Sequence, residues 1–293
     1  MDSINQIYSF TYQPSFEITQ HLMEVGLKAE LHRSINEACG SGKFGIERIV
    51  HEQELVELTG LSFMTFDYIV SSMQNYRDTR LSMPNKLLLT LIKLRRNESF
   101  HNLHIMFEID VNTVYEIFVE VLNSLWSVLH GFIHWPTREL VKSSLPPVFD
   151  KYHPNARVIK EYITTKIKDN QDISLFQGQS TAKFLVGISP TGVICFVSKC
   201  YAGTTENSFV TENSGLLDLV DPRDVIICTK ESSNHCDEVL DYIGTLKQRI
   251  VDFNILSNVS SDLLPHMNRI AFVVCALVNA QTLTDLKIKM MQL

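Results

Sequence analysis

What this sequence lacks narrows the field first. It has no basic excess: 26 Lys and Arg stand against 33 Asp and Glu, a formal charge of −7 over 293 residues. Dedicated nucleic-acid binders carry a basic surplus, because counterion release by Lys and Arg supplies most non-specific affinity. Any DNA contact here must therefore come from a local patch. The six cysteines (Cys39, Cys195, Cys200, Cys228, Cys236 and Cys275) contain no C-x-x-C pair, which argues against a zinc knuckle or a redox dithiol. They fit reduced, mostly buried thiols of the cytosol or nucleus. The opening run MDSINQIYSF has no basic start and no apolar stretch, so it does not read as a signal peptide, and the sequons at Asn97 and Asn258 then carry no weight. Long apolar runs are missing as well. Residues 270–278 form the most apolar late segment, shorter than the roughly 20 residues that span a bilayer. That segment reads as a buried helix, and no membrane is expected.

What is present is an ordinary soluble composition, 45% apolar and 20% charged, long enough for one large domain or two modest ones. Three regions differ in pattern. Residues 1–60 show weak helical periodicity broken by Gly40, Gly42 and Gly45, which predicts a loosely attached helical arm. Residues 61–135 are strongly helical. Ser82 caps a helix through Lys86-Leu-Leu-Leu-Thr-Leu-Ile-Lys-Leu94 that stops near Asn97. Ser99 caps a short helix over residues 100–107, and Asp110 a longer one from Val111 to about Leu129. On the last, Val114, Ile117, Phe118, Val121, Leu122 and Leu125 make one apolar stripe.

From Pro146-Pro147 onward the period changes to two. Residues 156–164 predict a strand, residues 183–189 and 193–201 a hairpin around Pro190-Thr-Gly192, residues 211–220 a helix, residues 224–229 a further strand, and the remainder from about Cys236 helix. That order predicts a mixed α/β sheet domain over residues 146–282.

The run Phe184-Leu-Val-Gly-Ile-Ser-Pro-Thr-Gly-Val-Ile-Cys-Phe-Val-Ser-Lys-Cys-Tyr-Ala-Gly203 resembles the central block of Harbinger-like DDE superfamily endonucleases. So does Thr211-Glu-Asn-Ser-Gly-Leu-Leu-Asp-Leu-Val220 with the Asp221-Pro222 break behind it. Residues 61–125 look like the helix-turn-helix module that precedes the catalytic domain in that family. The resemblance implies an α/β, ribonuclease H-like mixed sheet preceded by an all-α helix-turn-helix module. It also implies three carboxylates that hold two divalent metals, Mg²⁺ or Mn²⁺, to activate a water or 3′-hydroxyl and steady the leaving oxygen.

Each carboxylate position departs from the pattern. The first strand, Arg157-Val-Ile-Lys-Glu-Tyr-Ile-Thr164, puts Glu161 where the family has Asp, with Lys160 in a normally apolar place. The later strand ends Ile227-Cys-Thr-Lys-Glu231, so Thr229 stands for the second Asp. The spacing to the last helix is too short, Tyr242-Ile-Gly-Thr-Leu-Lys247 resumes the pattern early, and the Glu position falls near Leu240. The sheet is expected to be truncated, with residues 225–228 left as an open edge. Glu161 is the one candidate metal ligand, and no cofactor is expected unless activity survives.

The resemblance therefore implies an inactive, transposase-derived nuclear (or cytoplasmic) protein whose partners would be DNA, a separate DNA-binding protein, or a second copy of itself. The alternative is a metal-dependent endonuclease rebuilt from Glu161 with Asp224 or Glu231. A third reading is a protein-interaction scaffold using the helical regions 61–135 and 236–282. If the helix pair reads a major groove, Val111, Asn112 and Tyr115 would face bases and Arg95 and Arg96 phosphate, although Glu116 and Glu120 on the second helix oppose it. Lys142, Lys151, Arg157, Lys160, Lys166, Lys168 and Lys183 are the remaining candidates for a non-specific groove. Glu231, Asp237 and Glu238 read as a solvated loop, and His235-Cys236 as a chance pair.

Overall fold

The structure, a computed structural model, describes residues 44–73, 81–168, 180–228 and 237–291, with backbone alone at 148, 237–243 and 286–291. The helical part begins with α1 (Glu52–Thr59), α2 (Phe63–Ser72), α3 (Met83–Arg96), α4 (Phe100–Phe107) and α5 (Val111–Val128). Their ends follow from capping chemistry. Ser82 precedes α3, with Pro84 in its first turn, and Asn97 closes it in the left-handed conformation at φ 55°. Ser99 accepts from the Asn102 N–H and Asp110 from the Asn112 N–H, which satisfies backbone donors that a helix start leaves open. The stripe on α5 is buried as its periodicity requires. Helix α3 is enclosed more completely: Leu87, Leu88, Leu89, Leu91, Ile92 and Leu94 are all fully buried.

The arm expected over residues 1–60 joins this bundle from Phe44 on, where the ring meets Phe107 edge-on at 5.4 Å and Ile49 and Leu55 enter the core. Residues 1–43 lie outside the described residues. Buried apolar side chains hold this stretch, so it is not loosely attached.

After two short helices, α6 (Arg138–Ser143) and α7 (Pro147–Tyr152), the chain enters a mixed sheet. Its strands are β1 (Ala156–Lys168), β2 (Thr181–Ile188), β3 (Ile194–Val197), β4 (Tyr201–Ala202), β5 (Val225–Cys228) and β6 (Asn258–Ser260). The path runs β3-β2-β1-β5, with β4 added to β2 and β6 to β1. Strands β1, β2 and β3 are antiparallel neighbours, whereas β5 and β6 pair with β1 in parallel. This mixed arrangement is compatible with a ribonuclease H-like fold. Strand β1 is longer than its predicted span and β6 has no counterpart in the reading above. The helix expected over residues 211–220 is α8 (Asn207–Asn213) followed by a 3-10 turn, Leu217–Leu219, because Gly215 at φ 87° breaks the run.

The remaining helices are α9 (Asp237–Val251) and α10 (Met267–Met291). By length and composition the region 261–285 could cross a membrane, but 72% of its apolar window is buried inside this protein. It is the core helix. Ile270, Ala271, Val273, Val274, Cys275, Ala276 and Leu277 are fully buried, packed against α2 and α5 on one side and β3 and α9 on the other. Bundle and sheet thus share one continuous apolar core. Asn279 stitches the two together. Its Oδ1 accepts from the Ile194 N–H at 3.1 Å, and its Nδ2 donates to the carbonyls of Ile194 and Phe132 at 2.7 and 2.8 Å.

Asn279→Leu keeps the volume and strands three buried backbone groups, so it should cost about 2–4 kcal/mol. A fall in the urea midpoint with an unchanged slope is the expected reading.

Candidate functional site

Glu161 occupies the middle of β1. Side chains alternate across a strand, so it shares a face with Ile159 and Ile163, which are buried in the main core. Pairing with β5 ends at Lys160 opposite Cys228, and Glu161 stands just past the C-terminal end of that strand. Thr229, the position expected for the second carboxylate, lies outside the described residues, as do Glu231, His235 and Cys236. Leu240 lies on α9, whose backbone alone is described there.

Helix α9 does reach Glu161, through a different residue. The Lys247 ammonium donates to Glu161 Oε1 in a close ion pair, with the carboxylate side chain 12% exposed and the lysine 45%. Lys247 is seven residues, two helical turns, beyond Leu240 and shares its helix face. The helix thus brings a positive charge to Glu161.

A pair of divalent ions needs several hard oxygen ligands. Among the described residues no group of three His, Cys, Asp or Glu side chains is placed to hold a metal. The one carboxylate in position already carries an ammonium. The described residues do not by themselves make a two-metal centre.

Asp224 belongs to a different site. It precedes β5 and so stands at the opposite end of that strand from Glu161, about 13 Å along at the usual rise per residue. Its side chain is 4% exposed and lies 2.8 Å from Arg138 and 3.5 Å from Arg157, while Arg138 also holds Asp221 at 2.7 Å. Arg157, grouped above with groove-facing cations, is buried. Its guanidinium lies over the Trp135 ring at 5.0 Å and donates to the Pro136 carbonyl. Arg157 sits at the irregular start of β1, where the pairing with β5 shifts register between Ala156 and Val158, and, with Asp224 as counter-charge, serves the packing of the sheet onto residues 135–138.

The helix-pair candidates disperse. Arg95 faces Asp252 at 3.7 Å and the Phe253 ring at 5.3 Å, and burial lowers its pKa from the ordinary value. Tyr115 packs edge-on to Phe100 at 5.4 Å, with its hydroxyl 3.4 Å from His266 Nε2. Val111, Asn112 and Arg96 are exposed, Arg96 within 3.8 Å of Glu98. Glu120, read above as an exposed repulsive charge, is half-buried and lies 3.5 Å from the fully buried Lys86. On the same bundle Lys93, donating to Asn97 and the Glu98 carbonyl, has its pKa pushed down to about 8 by burial. Burial pushes the Cys195 and Cys200 thiols up to about 12 and raises Cys275 as well.

Asp224→Asn leaves Arg157 buried without its counter-charge and should destabilise the protein by about 3 kcal/mol. Thermal unfolding of the full chain checks this, and an unchanged midpoint would remove the ion cluster from the account.

The geometry can now be set beside known proteins. Residues 160–231, from β1 to just past β5, match the family model described as DDE superfamily endonuclease. No curated protein matches the chain, and no solved structure does. Over the strands that carry Glu161 and lead to Thr229, the chain is similar to the DDE superfamily endonucleases, which supports a transposase-derived, nuclease-like protein.

Proposed function

We propose that this is a Harbinger-type, transposase-derived protein that no longer cleaves DNA and works in the nucleus as a DNA- or chromatin-associated binding module. The observation that carries the loss of cleavage is the Lys247 ammonium on Glu161. In a DDE site the first carboxylate is a metal ligand, and its charge is balanced by the divalent ions it recruits. Here the balance comes from a side chain on the helix that would carry the third ligand. A tethered ammonium neutralises the carboxylate but has no open coordination position, so it cannot activate a water or polarise a phosphoryl oxygen. Asp224, the nearest described replacement acid, is held at the wrong end of β5. The Harbinger assignment rests on the near-gapless likeness of residues 184–203 and on residues 211–220. DNA, or a separate DNA-binding protein, is the partner this ancestry favours. Nuclear residence follows from that role.

Purified protein with Mg²⁺ or Mn²⁺ should leave supercoiled plasmid uncut above background, and Glu161→Ala should behave identically. Metal-dependent nicking that disappears in Glu161→Ala would overturn the proposal. Lys247→Ala should cost no more than about 1 kcal/mol, because the lysine is nearly half exposed and water screens the pair.

A further inference from the structure

The register of β1 sorts its charged residues between two faces. The face of Ile159, Glu161, Ile163, Thr165 and Ile167 is turned to the core. The opposite face carries Val158, Lys160, Tyr162, Thr164, Lys166 and Lys168. Strand β2 adds Lys183, which stands beside Thr164. Helix α8 and a small apolar cluster around Leu185, Val210 and Leu216 cover the Val158 end. Beyond that cover Thr164, Lys166 and Lys168 are exposed and Lys160 and Lys183 half-buried. Alternate residues on a strand are about 6.6 Å apart, so the lysines form a row on a stiff support.

Three features point to the occupant. Among the described residues no carboxylate pairs with Lys160, Lys166 or Lys168, in a chain whose acids outnumber its bases. Lys183 is held by a neutral group, Asn207 Oδ1 at 3.1 Å. Among the described residues the two strands expose no ring on this face: the Tyr162 hydroxyl is bonded to Asn207 and Thr211, and Tyr201 is buried, while the exposed Phe209 belongs to the covering helix α8 and not to the lysine-bearing strands. Single-stranded nucleic acids are bound by base stacking on exposed rings. A rigid row of cations without rings suits the backbone of a duplex, read by charge alone.

We infer that this outer face of the β1–β2 hairpin, opposite the Glu161 face, is a docking surface for the phosphate backbone of duplex DNA. The inference rests on the DNA-binding role proposed above, but not on the loss of cleavage. Contact through this face leaves the former active-site side unused, so affinity is sequence-independent and falls steeply with salt. Each lysine that meets a phosphate contributes about 0.9 to the slope of log K against log salt.

The test is fluorescence anisotropy of a labelled 20–30 base-pair duplex with the full chain at several salt concentrations, using roughly the 50–200 mM range over which such binding weakens most. Lys166→Glu/Lys168→Glu should weaken binding at least tenfold and flatten the slope by about 2. The charge-matched control, Arg48→Glu/Arg269→Glu, should change affinity less than threefold. Both pairs are exposed, and circular dichroism confirms folding. Equal losses in the two variants would reduce the effect to net charge and overturn the surface. Binding that ignores Lys166 and Lys168 would overturn it too, while leaving a DNA-binding role elsewhere on the chain. Tighter, Lys166/Lys168-dependent binding of single-stranded DNA or RNA would overturn the duplex assignment. No binding to any nucleic acid would overturn both the surface and the DNA role.

Discussion

Everything in this molecule is arranged around the burial of α10. A helix apolar on every side has to be enclosed on every side, and here one side is closed by the helical bundle and the other by the sheet. Neither part could shed its partner without exposing Val273, Val274 or Leu277 to water. The polar residues that accompany the helix into the core are each satisfied. Asn279 is the clearest case, because its amide treats β3 as a neighbouring strand would, donating to and accepting from Ile194. The edge of the sheet on that side is thereby tied to the helix, and the carbonyl of Phe132 ties in the bundle. Gln281, two residues on, ties the helix to the start of α2, accepting from the Ser62 N–H and the Thr65 hydroxyl.

That frame fixes where α9 lies, and α9 decides the chemistry. Leu246 and Ile250 are buried from this helix, and their burial directs Lys247 towards β1. A carboxylate partly removed from water is favoured by a nearby counter-charge. In an active DDE centre the metals provide it. In the function proposed above, Lys247 provides it from within the chain. The second ion cluster, Arg138 and Arg157 with Asp221 and Asp224, stands at the other end of β5 and anchors the strand to residues preceding the sheet. The two clusters bracket β5, and neither is built to exchange ligands.

Much of the helical bundle was legible because its signals are local. Ser82, Ser99 and Asp110 each stand beside the helix they cap, and a stripe at three- and four-residue spacing can be read without knowing the partner. The hairpin of β2 and β3 was legible for the same reason. What escaped depends on distant residues. The end of β1 beyond Thr164, with Lys166 and Lys168 on one face, looks like a polar loop until Thr165 and Ile167 are seen to be buried. Strand β6 is three residues long and exists only because residues 166–168 of β1 offer it an edge. The Glu161–Lys247 pair joins residues 86 apart in sequence. Only a two-turn count from Leu240 along a helix whose orientation is known would have raised Lys247 as its partner. Arg157 and Glu120 were misjudged because a charged residue reads as exposed until its buried counterpart is located.

The central claim is that a tethered ammonium has taken the place of divalent metal at Glu161. Calorimetric titration of Mn²⁺ and of Mg²⁺ into the full-length protein, beside the Glu161→Ala variant, addresses it most directly. The account predicts the same absence of saturable binding in both proteins. Stoichiometric binding that disappears in Glu161→Ala would mean that Lys247 yields to the ion and that the centre can still be loaded.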